Sequence, residues 1–297
     1  MSKAITVNEL LSMETREAAQ IWGPAICEFN IAMVFGDTGL GKSRLSYGMA
    51  YVMAAGGKLL AWEVSRPRKV LLVDTELTLN AIQRRIRSYA KSHPYSPKGE
   101  NLRVLTREQC GERMWNISDP ADQKKYNREI ADADVIIFDN LLGCMFPMNS
   151  RDDEVSQWER VARWLYALRE TGRTVIIVHH TGKSGDYLGS SVKTTLLDTN
   201  IELRPPAIRR PVQGTEFELH FRKTRDVKRA DALPLHCEYV EDDMGISRWY
   251  WSHLETGREA EVSALKAEGA SKREVAKALG LSLKEVGEAW SQEELNV

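Results

Sequence analysis

A glycine-rich stretch carries the clearest chemistry in the sequence. Gly36-Asp37-Thr38-Gly39-Leu40-Gly41-Lys42-Ser43 meets every fixed position of the pattern G-x-x-x-x-G-K-[ST] and follows an apolar run. The glycines let successive backbone N–H groups point at a β-phosphate, while Lys42 can reach the β and γ oxygens and Ser43 can ligate Mg²⁺. Arg44 opens the helix that follows, whose positive N-terminus faces the phosphates. We therefore predict that Gly36 to Arg44 bind ATP with Mg²⁺.

Three more polar residues come at or just after the ends of apolar strands. Asp139 ends the run Val135 to Phe138, where it can hold Mg²⁺ together with Ser43. Hydrolysis also needs a group that orients and deprotonates water, and we assign this role to Glu76, with Asp74 as the rival in the same turn. A strand-end capping aspartate and an exposed glutamate are the plain structural alternatives.

His180 ends the strand that begins at Thr174. A polar side chain there can hydrogen-bond the γ-phosphate and move when it leaves, which predicts a sensor. A packed or solvated histidine is the alternative. The adjacent His179 lacks the further ligand spacing that a metal site would need.

A site of this type is usually completed by a cation from a neighbouring subunit. Lys223 and Arg225, at the end of a late strand, are the best-placed pair. An ordinary solvated turn is the alternative, and the sequence offers three competing arginines: Arg204, Arg209 and Arg210.

The elements that position these residues alternate between strand and helix, which predicts an α/β fold with a mostly parallel sheet flanked by helices. Ligands of such sheets sit at the carboxyl ends of the strands, where the predicted site residues fall. From Asp198 onward four short strands predict an antiparallel extension. The ATPase domain is predicted at 31–256. Before it, residues 1–30 predict a lead-in helix, Val7 to Gln20, and a linker. After it, residues 257–297 predict a small helix-turn-helix domain.

One predicted helix is strongly basic. Residues Asn80 to Ser92 carry Arg84, Arg85, Arg87 and Lys91. An exposed helix face accounts for these charges without any ligand.

Composition sets bounds on partners and compartment. The 297 residues carry a formal net charge of −1, so nucleic-acid contact would have to come from local patches or an assembled ring. The sequence has no secretory pattern and no long apolar run, which predicts a cytoplasmic protein without a membrane partner. The cysteines lie far apart and lack C-x-x-C spacing, which argues against a zinc site and a disulfide framework. They are Cys27, Cys110, Cys144 and Cys237.

Taken together, these motifs resemble the RecA-like ATPase core, and most closely the hexameric plasmid replicative helicases of the RepA type. The resemblance spans about Asn30 to Arg225. It rests on the following pieces in order: Gly36 to Ser43, Val70 to Glu76 with Ala81 and Arg85, Ile136 to Leu141, Val178 to His180 with Lys183, and Gly189 to Val192.

The resemblance implies a role for each matched residue. The counterpart of Glu76 is the catalytic base, that of Asp139 the Walker B aspartate and that of His180 the phosphate sensor. The segments after Asp139 and His180 would line a central channel for single-stranded DNA. The sequence departs from the family at Glu202, near the place of an arginine finger, which leaves Arg204 or the pair Lys223 and Arg225 for that role.

The expected function is therefore an ATP-hydrolysing, ring-forming motor on single-stranded DNA, a replicative helicase of a plasmid, phage or mobile element. The expected partners are further copies of the chain, single-stranded DNA, and a protein or duplex DNA at the C-terminal domain. Two alternatives stay open: a RecA/RadA-like recombination or repair ATPase, and an ATP-switched DNA-binding regulator or helicase loader.

Overall fold

The structure is a computed structural model. It describes residues 4–15, 17–145, 151–181, 195–206, 214–225, 227–228, 231–254, 262, 265–266 and 269–292.

A nine-stranded sheet forms the body of the protein. In spatial order its strands are β13 (Ser247–His253), β12 (Leu235–Glu241), β11 (Gly214–Thr224), β10 (Thr199–Arg204), β3 (Ile31–Gly36), β9 (Thr174–His180), β8 (Val135–Asp139), β6 (Val70–Asp74) and β7 (Leu102–Thr106). The strands from β10 to β7 in this order run parallel, whereas β11, β12 and β13 pair antiparallel. The predicted mostly parallel sheet with an antiparallel extension is confirmed.

Helices cover both faces of the sheet, which is why β3, β6 and β8 are buried along their whole length. One face packs on α2 (Lys42–Ala55) and α3 (Leu79–Ser92), the other on α4 (Pro120–Ile130) and α5 (Arg151–Glu170). Local signals set the ends of these helices: Thr78 caps α3, Asp119 caps α4, and Gly56 at φ 84° ends α2.

The extension begins one strand later than predicted. β10 pairs in parallel with β3, from Thr199 opposite Ala32 to Leu203 opposite Gly36, so this first strand belongs to the parallel part. Its residues Thr199 to Leu203 are all buried, as expected for a strand between two others. The short length of the run does not by itself distinguish the two strand directions.

The N-terminal residues also differ from the predicted helix and linker. The helix α1 spans only Val7–Ser12, and the predicted linker contains the hairpin of β1 (Gln20–Trp22) and β2 (Ile26–Cys27). Trp22 is fully buried and packs edge-on against Trp62 of a second hairpin, β4 (Gly57–Leu59) and β5 (Trp62–Val64). Burial of this indole makes the hairpin part of the core.

Near the C-terminus, α6 (Lys272–Leu279) and α7 (Leu283–Gln292) are short helices. Ser271 and Glu274 form a capping box, and Gly280 ends α6 in the left-handed conformation at φ 64°. The helix-turn-helix assignment stays a prediction. Among the described helices, none combines the length and apolar composition needed to cross a membrane.

Candidate functional site

The carboxyl ends of the parallel strands border a crevice of about 240 Å³. Its walls come from the loop after β3, the turn after β6, and the ends of β8 and β9. The lining residues are Thr38, Gly39, Gly41, Lys42, Ser43, Arg44, Glu76, Arg85, Asp139, His180 and Thr215. Residues predicted from separate motifs thus lie around one space.

The glycine-rich loop is held open by its backbone and by Lys42. Gly41 has φ 89°, and a Cβ there would lie 2.3 Å from Thr215 Cγ2, so only glycine fits. The buried Lys42 ammonium donates to the carbonyl oxygens of Gly36 at 2.8 Å and Asp37 at 2.7 Å. Burial lowers the pKa of Lys42, and the charge of Asp139 opposes this effect. The Lys42 ammonium therefore lies inside the loop, next to the space where phosphates would bind.

Ser43 and Asp139 form the oxygen-rich side of the crevice. Asp139 accepts hydrogen bonds from the hydroxyls of Ser43 at 3.1 Å and Ser46 at 2.6 Å. Burial raises the pKa of Asp139 to about 6, against the lowering effect of these hydroxyls. A hydroxyl and one carboxylate are the hard oxygen ligands that Mg²⁺ takes when substrate phosphates and water complete its shell. The residues present thus fit Mg²⁺.

Asp74 and Glu76 have different tasks although they share one turn. Asp74 is 2% exposed, accepts from the Tyr47 hydroxyl at 2.7 Å, and accepts from the backbone N–H groups of Glu76 and Leu77. The two backbone contacts stabilise the turn, and the Tyr47 contact joins the turn to α2. The Glu76 side chain is 58% exposed and points its carboxylate into the crevice. Geometry favours Glu76 over Asp74 as the group that can reach a water molecule.

Asn140 connects Glu76 to His180, a link that the sequence analysis missed. The Asn140 Oδ1 accepts from the Gly143 N–H at 3.0 Å, which turns Nδ2 toward Glu76 Oε1 and, at 3.2 Å, His180 Nε2. An amide nitrogen has two hydrogens and can donate to both partners. The position of Asn140 directly after the strand-end Asp139 could have indicated a role in the crevice. Asparagine is also a common turn residue, so this position alone does not distinguish the two roles.

The environment of His180 favours its neutral form. Burial lowers the pKa of His180, with a further lowering from Lys42 and an opposing effect of Glu76. With Nε2 accepting from Asn140, the ring proton lies on Nδ1, which is 3.4 Å from the Thr38 hydroxyl. The imidazole thus bridges the phosphate loop and the Glu76 side of the crevice.

Arg44 turns away from the phosphate end of the crevice. Its guanidinium lies 4.6 Å from the Tyr239 ring centroid and pairs with Glu241 at 3.2 Å. These contacts join α2 to β12 and place Arg44 on the wall between the loop and the antiparallel strands. Leu40 packs against the core below the loop.

Lys223 and Arg225 lie near the amino ends of the parallel strands, whereas the crevice lies at their carboxyl ends. Thr224 pairs with Thr199, which lies opposite Ala32 at the start of β3. Gly36 is four residues further along β3, which separates the pair from the loop by about 13 Å along the strand. Arg225 donates to the buried Asp198 at 3.0 Å. The structure therefore does not bring these two cations to the crevice of their own chain.

The competing arginines have other positions. Arg204 pairs at 2.6 Å with Glu202, which also binds Arg222 at 3.1 Å, so the glutamate that departs from the family pattern is neutralised within the chain. Arg209 and Arg210 lie outside the described residues, as do 146–150 and 182–194, which belong to the two segments expected to face a channel.

The fold and the crevice define a P-loop ATPase with a RecA-like fold. Two solved structures share that fold. A KaiC-like protein from the hyperthermophilic archaeon Pyrococcus horikoshii superposes with a TM-score of 0.52 at 13% identity, covering 78% of this chain and 94% of its own. The flagellar accessory protein FlaH from Methanocaldococcus jannaschii gives a TM-score of 0.50 at 14% identity, covering 77% and 92%.

Residues 2–186 match the AAA domain family, and the chain belongs to this family. Membership implies nucleotide binding, usually with Mg²⁺. No curated protein matches the sequence significantly. The RecA-like ATPase expectation is confirmed, whereas the narrower resemblance to RepA-type helicases stays a prediction.

Proposed function

We propose that this protein is an ATP-hydrolysing, ring-forming motor that moves single-stranded DNA, as a replicative helicase of a plasmid, phage or mobile element does. The observation that carries the proposal is the placement of two complementary sites at opposite ends of the strands: the crevice at Gly36, and Lys223 with Arg225 near Thr199.

Within the crevice, Lys42 leaves its carbonyl partners to bind the β- and γ-phosphates of ATP. Ser43 and Asp139 would hold Mg²⁺, which would neutralise phosphate charge. Glu76, fixed through Asn140, takes a proton from the attacking water. His180 lies beside both Thr38 and Asn140, so loss of the γ-phosphate changes the contacts of a residue just before the 182–194 segment.

Completion of the site requires a second subunit. The cation pair lies at the amino ends of the parallel strands, so it can reach a phosphate only in the crevice of a neighbouring subunit. Such a contact is head-to-tail, and repetition of the same interface can close into a ring. The charge of Arg225 contributes, after burial, to a lowered pKa of Lys223, as expected when two cations adjoin. Asp198, which pairs with Arg225, opposes this lowering within the chain, and a phosphate from the neighbouring crevice would add a second anion.

We propose single-stranded DNA as the polymer that the ring moves. The segments after Asp139 and His180, which are expected to line the channel, follow directly from strands that end at the phosphate site. The assay measures ATP hydrolysis with and without single-stranded DNA, together with displacement of a labelled strand from a forked duplex. Stimulated hydrolysis with strand displacement supports the motor. Hydrolysis on DNA filaments without displacement would favour a recombination ATPase, and duplex binding without displacement a regulator or loader.

A further inference from the structure

A second cavity, of about 400 Å³, lies where the end of α3 meets β4 and β13. It is larger than the ATP crevice, and no described residue lines both spaces. Its lining includes Val52, which is nine residues after Ser43 on α2 and therefore about 14 Å further along the helix axis. Small-molecule sites in proteins usually measure roughly 300 to 1,000 Å³. The cavity thus has the size of a separate ligand site.

The lining of this cavity is mostly apolar and includes aromatic rings that are held in place. Its aliphatic residues are buried: Val52, Leu59 and Leu60. The rings come from Tyr89 of α3 and from Trp249 and Trp251, which lie two residues apart and so on one face of β13. The Trp249 and Tyr239 ring centroids are 5.0 Å apart at an interplanar angle of 64°, and this contact anchors the indole to the core. Rings fixed in this way can stack on a flat molecule at little entropic cost.

The charge at the cavity is positive. Lys58 and Arg248 line it, and none of the described lining residues is a carboxylate. The Lys58 ammonium lies 5.4 Å from the Trp251 ring centroid, and within the described chain it forms no ion pair with Glu63, its neighbour across the hairpin. Arg248 donates to Asp242 at 3.1 Å through Nη1, which leaves other N–H groups of its guanidinium for a second anion. The site therefore favours a negatively charged group next to its rings.

We propose that this cavity binds a nucleotide unit, whose base stacks on Trp249 and Trp251 and whose phosphate accepts from Lys58 and Arg248. A free nucleotide and a nucleotide within a single strand both offer this chemistry. An aromatic side chain of a partner protein offers the ring without the anion, so a nucleotide satisfies more of the lining. The site goes beyond the proposed motor, whose ATP lies at Gly36 and whose DNA lies in the channel.

The test is photo-crosslinking of the full chain with two probes: 5-iodo-deoxyuridine monophosphate, and an oligothymidylate that carries one 5-iodouracil. This base crosslinks to aromatic side chains on irradiation. Trypsin cleaves after Arg248 and Arg258, so the cavity tryptophans fall on one peptide, Trp249 to Arg258. The expected result is a saturable crosslink on this peptide, which probes held in the ATP crevice or in the channel do not produce. Saturation by the mononucleotide identifies a free nucleotide as a ligand, and saturation by the oligonucleotide alone identifies single-stranded nucleic acid.

The probe concentration that gives half the maximal yield on this peptide measures the affinity of the cavity. Trp251→Leu removes one stacking ring, keeps Trp249 as a crosslinked residue, and should weaken binding about 5- to 150-fold. Lys58→Gln should weaken it about fivefold, whereas Lys58→Arg keeps the charge and should bind as the wild type does. Lys124→Gln, exposed on α4 across the sheet, is the matched control and should also bind normally.

Three results would overturn the proposal: no saturable crosslink on the Trp249 to Arg258 peptide with either probe, an unchanged half-maximal concentration in both Trp251→Leu and Lys58→Gln, or an equal loss in Lys124→Gln. Thermal unfolding of the ligand-free variants separates a packing role. A lower midpoint in Trp251→Leu would assign its loss to packing, and the Lys58 variants, which change only an exposed side chain, then decide the proposal.

Discussion

Replacement of Asp139 by asparagine should stabilise the nucleotide-free protein while it removes Mg²⁺-dependent hydrolysis. Burial raises the pKa of Asp139 from 3.8 to about 6. This rise corresponds to about 3 kcal/mol of destabilisation of the ionised form in the fold. The folded-state pKa lies above the unfolded value, so the penalty is fully present above pH 6 and disappears as the pH falls toward 3.8.

An asparagine at position 139 keeps the shape of the side chain and can still bond the Ser43 and Ser46 hydroxyls, since a hydroxyl both donates and accepts. Urea unfolding of Asp139→Asn at pH 7.5 should therefore give a free energy of unfolding up to about 3 kcal/mol above the wild type. The gain should shrink below pH 6 and fall below about 1 kcal/mol near pH 4, because protonated Asp139 no longer carries the penalty.

Asp74→Asn is the matched control, because Asp74 lies opposite Asp139 in register and is equally buried. In Asp74→Asn the amide oxygen can keep both backbone N–H bonds and the amide nitrogen can donate to the Tyr47 hydroxyl, but these bonds lose the charge of the carboxylate, so the variant should cost about 1 kcal/mol. The reasoning fails if Asp139→Asn is no more stable than the wild type at pH 7.5, or if its gain is the same at pH 4.

The remaining predictions concern turnover. Glu76→Gln should bind ATP as the wild type does, since the Asn140 amide can still donate to it, but lose about 10²- to 10⁴-fold in kcat; normal hydrolysis would remove Glu76 as the base. Asn140→Ala frees both Glu76 and His180 and should lower kcat about tenfold or more without weakening ATP binding, and a loss of affinity alone would contradict the positioning role. Lys42→Ala and Arg225→Ala should each be inactive, yet an equal mixture should recover roughly a quarter of the wild-type rate, because random head-to-tail contacts pair an intact loop with an intact arginine. A mixture that stays inactive would show that the arginine does not act between subunits.

Much of the crevice could be predicted because its residues sit at positions that the chain marks locally. A strand end followed by a polar residue identifies Asp139 and His180, and a parallel sheet brings such ends to one edge. The pattern around Gly36 to Ser43 supplies the phosphate loop in the same way.

Other features depend on pairings that no local pattern contains. The direction of β10 is set by its two neighbours, β3 and β11, and the position of Trp22 in the core is set by contact with Trp62. The partners of Asn140 come from two different strands. Arg85 lines the crevice, and its spacing from the buried Ile82 and Tyr89 held a usable signal for that position, but the cluster of charges around it is typical of a solvated face.

The most direct measurement is single-particle electron microscopy of the full chain with a non-hydrolysable ATP analogue and single-stranded DNA. The proposed function predicts closed head-to-tail rings in which Lys223 and Arg225 of one subunit face the Ser43 loop of the next, with the DNA strand inside the channel. Helical filaments on the DNA would contradict it, as would nucleotide-bound particles in which these two residues lie away from every neighbouring crevice.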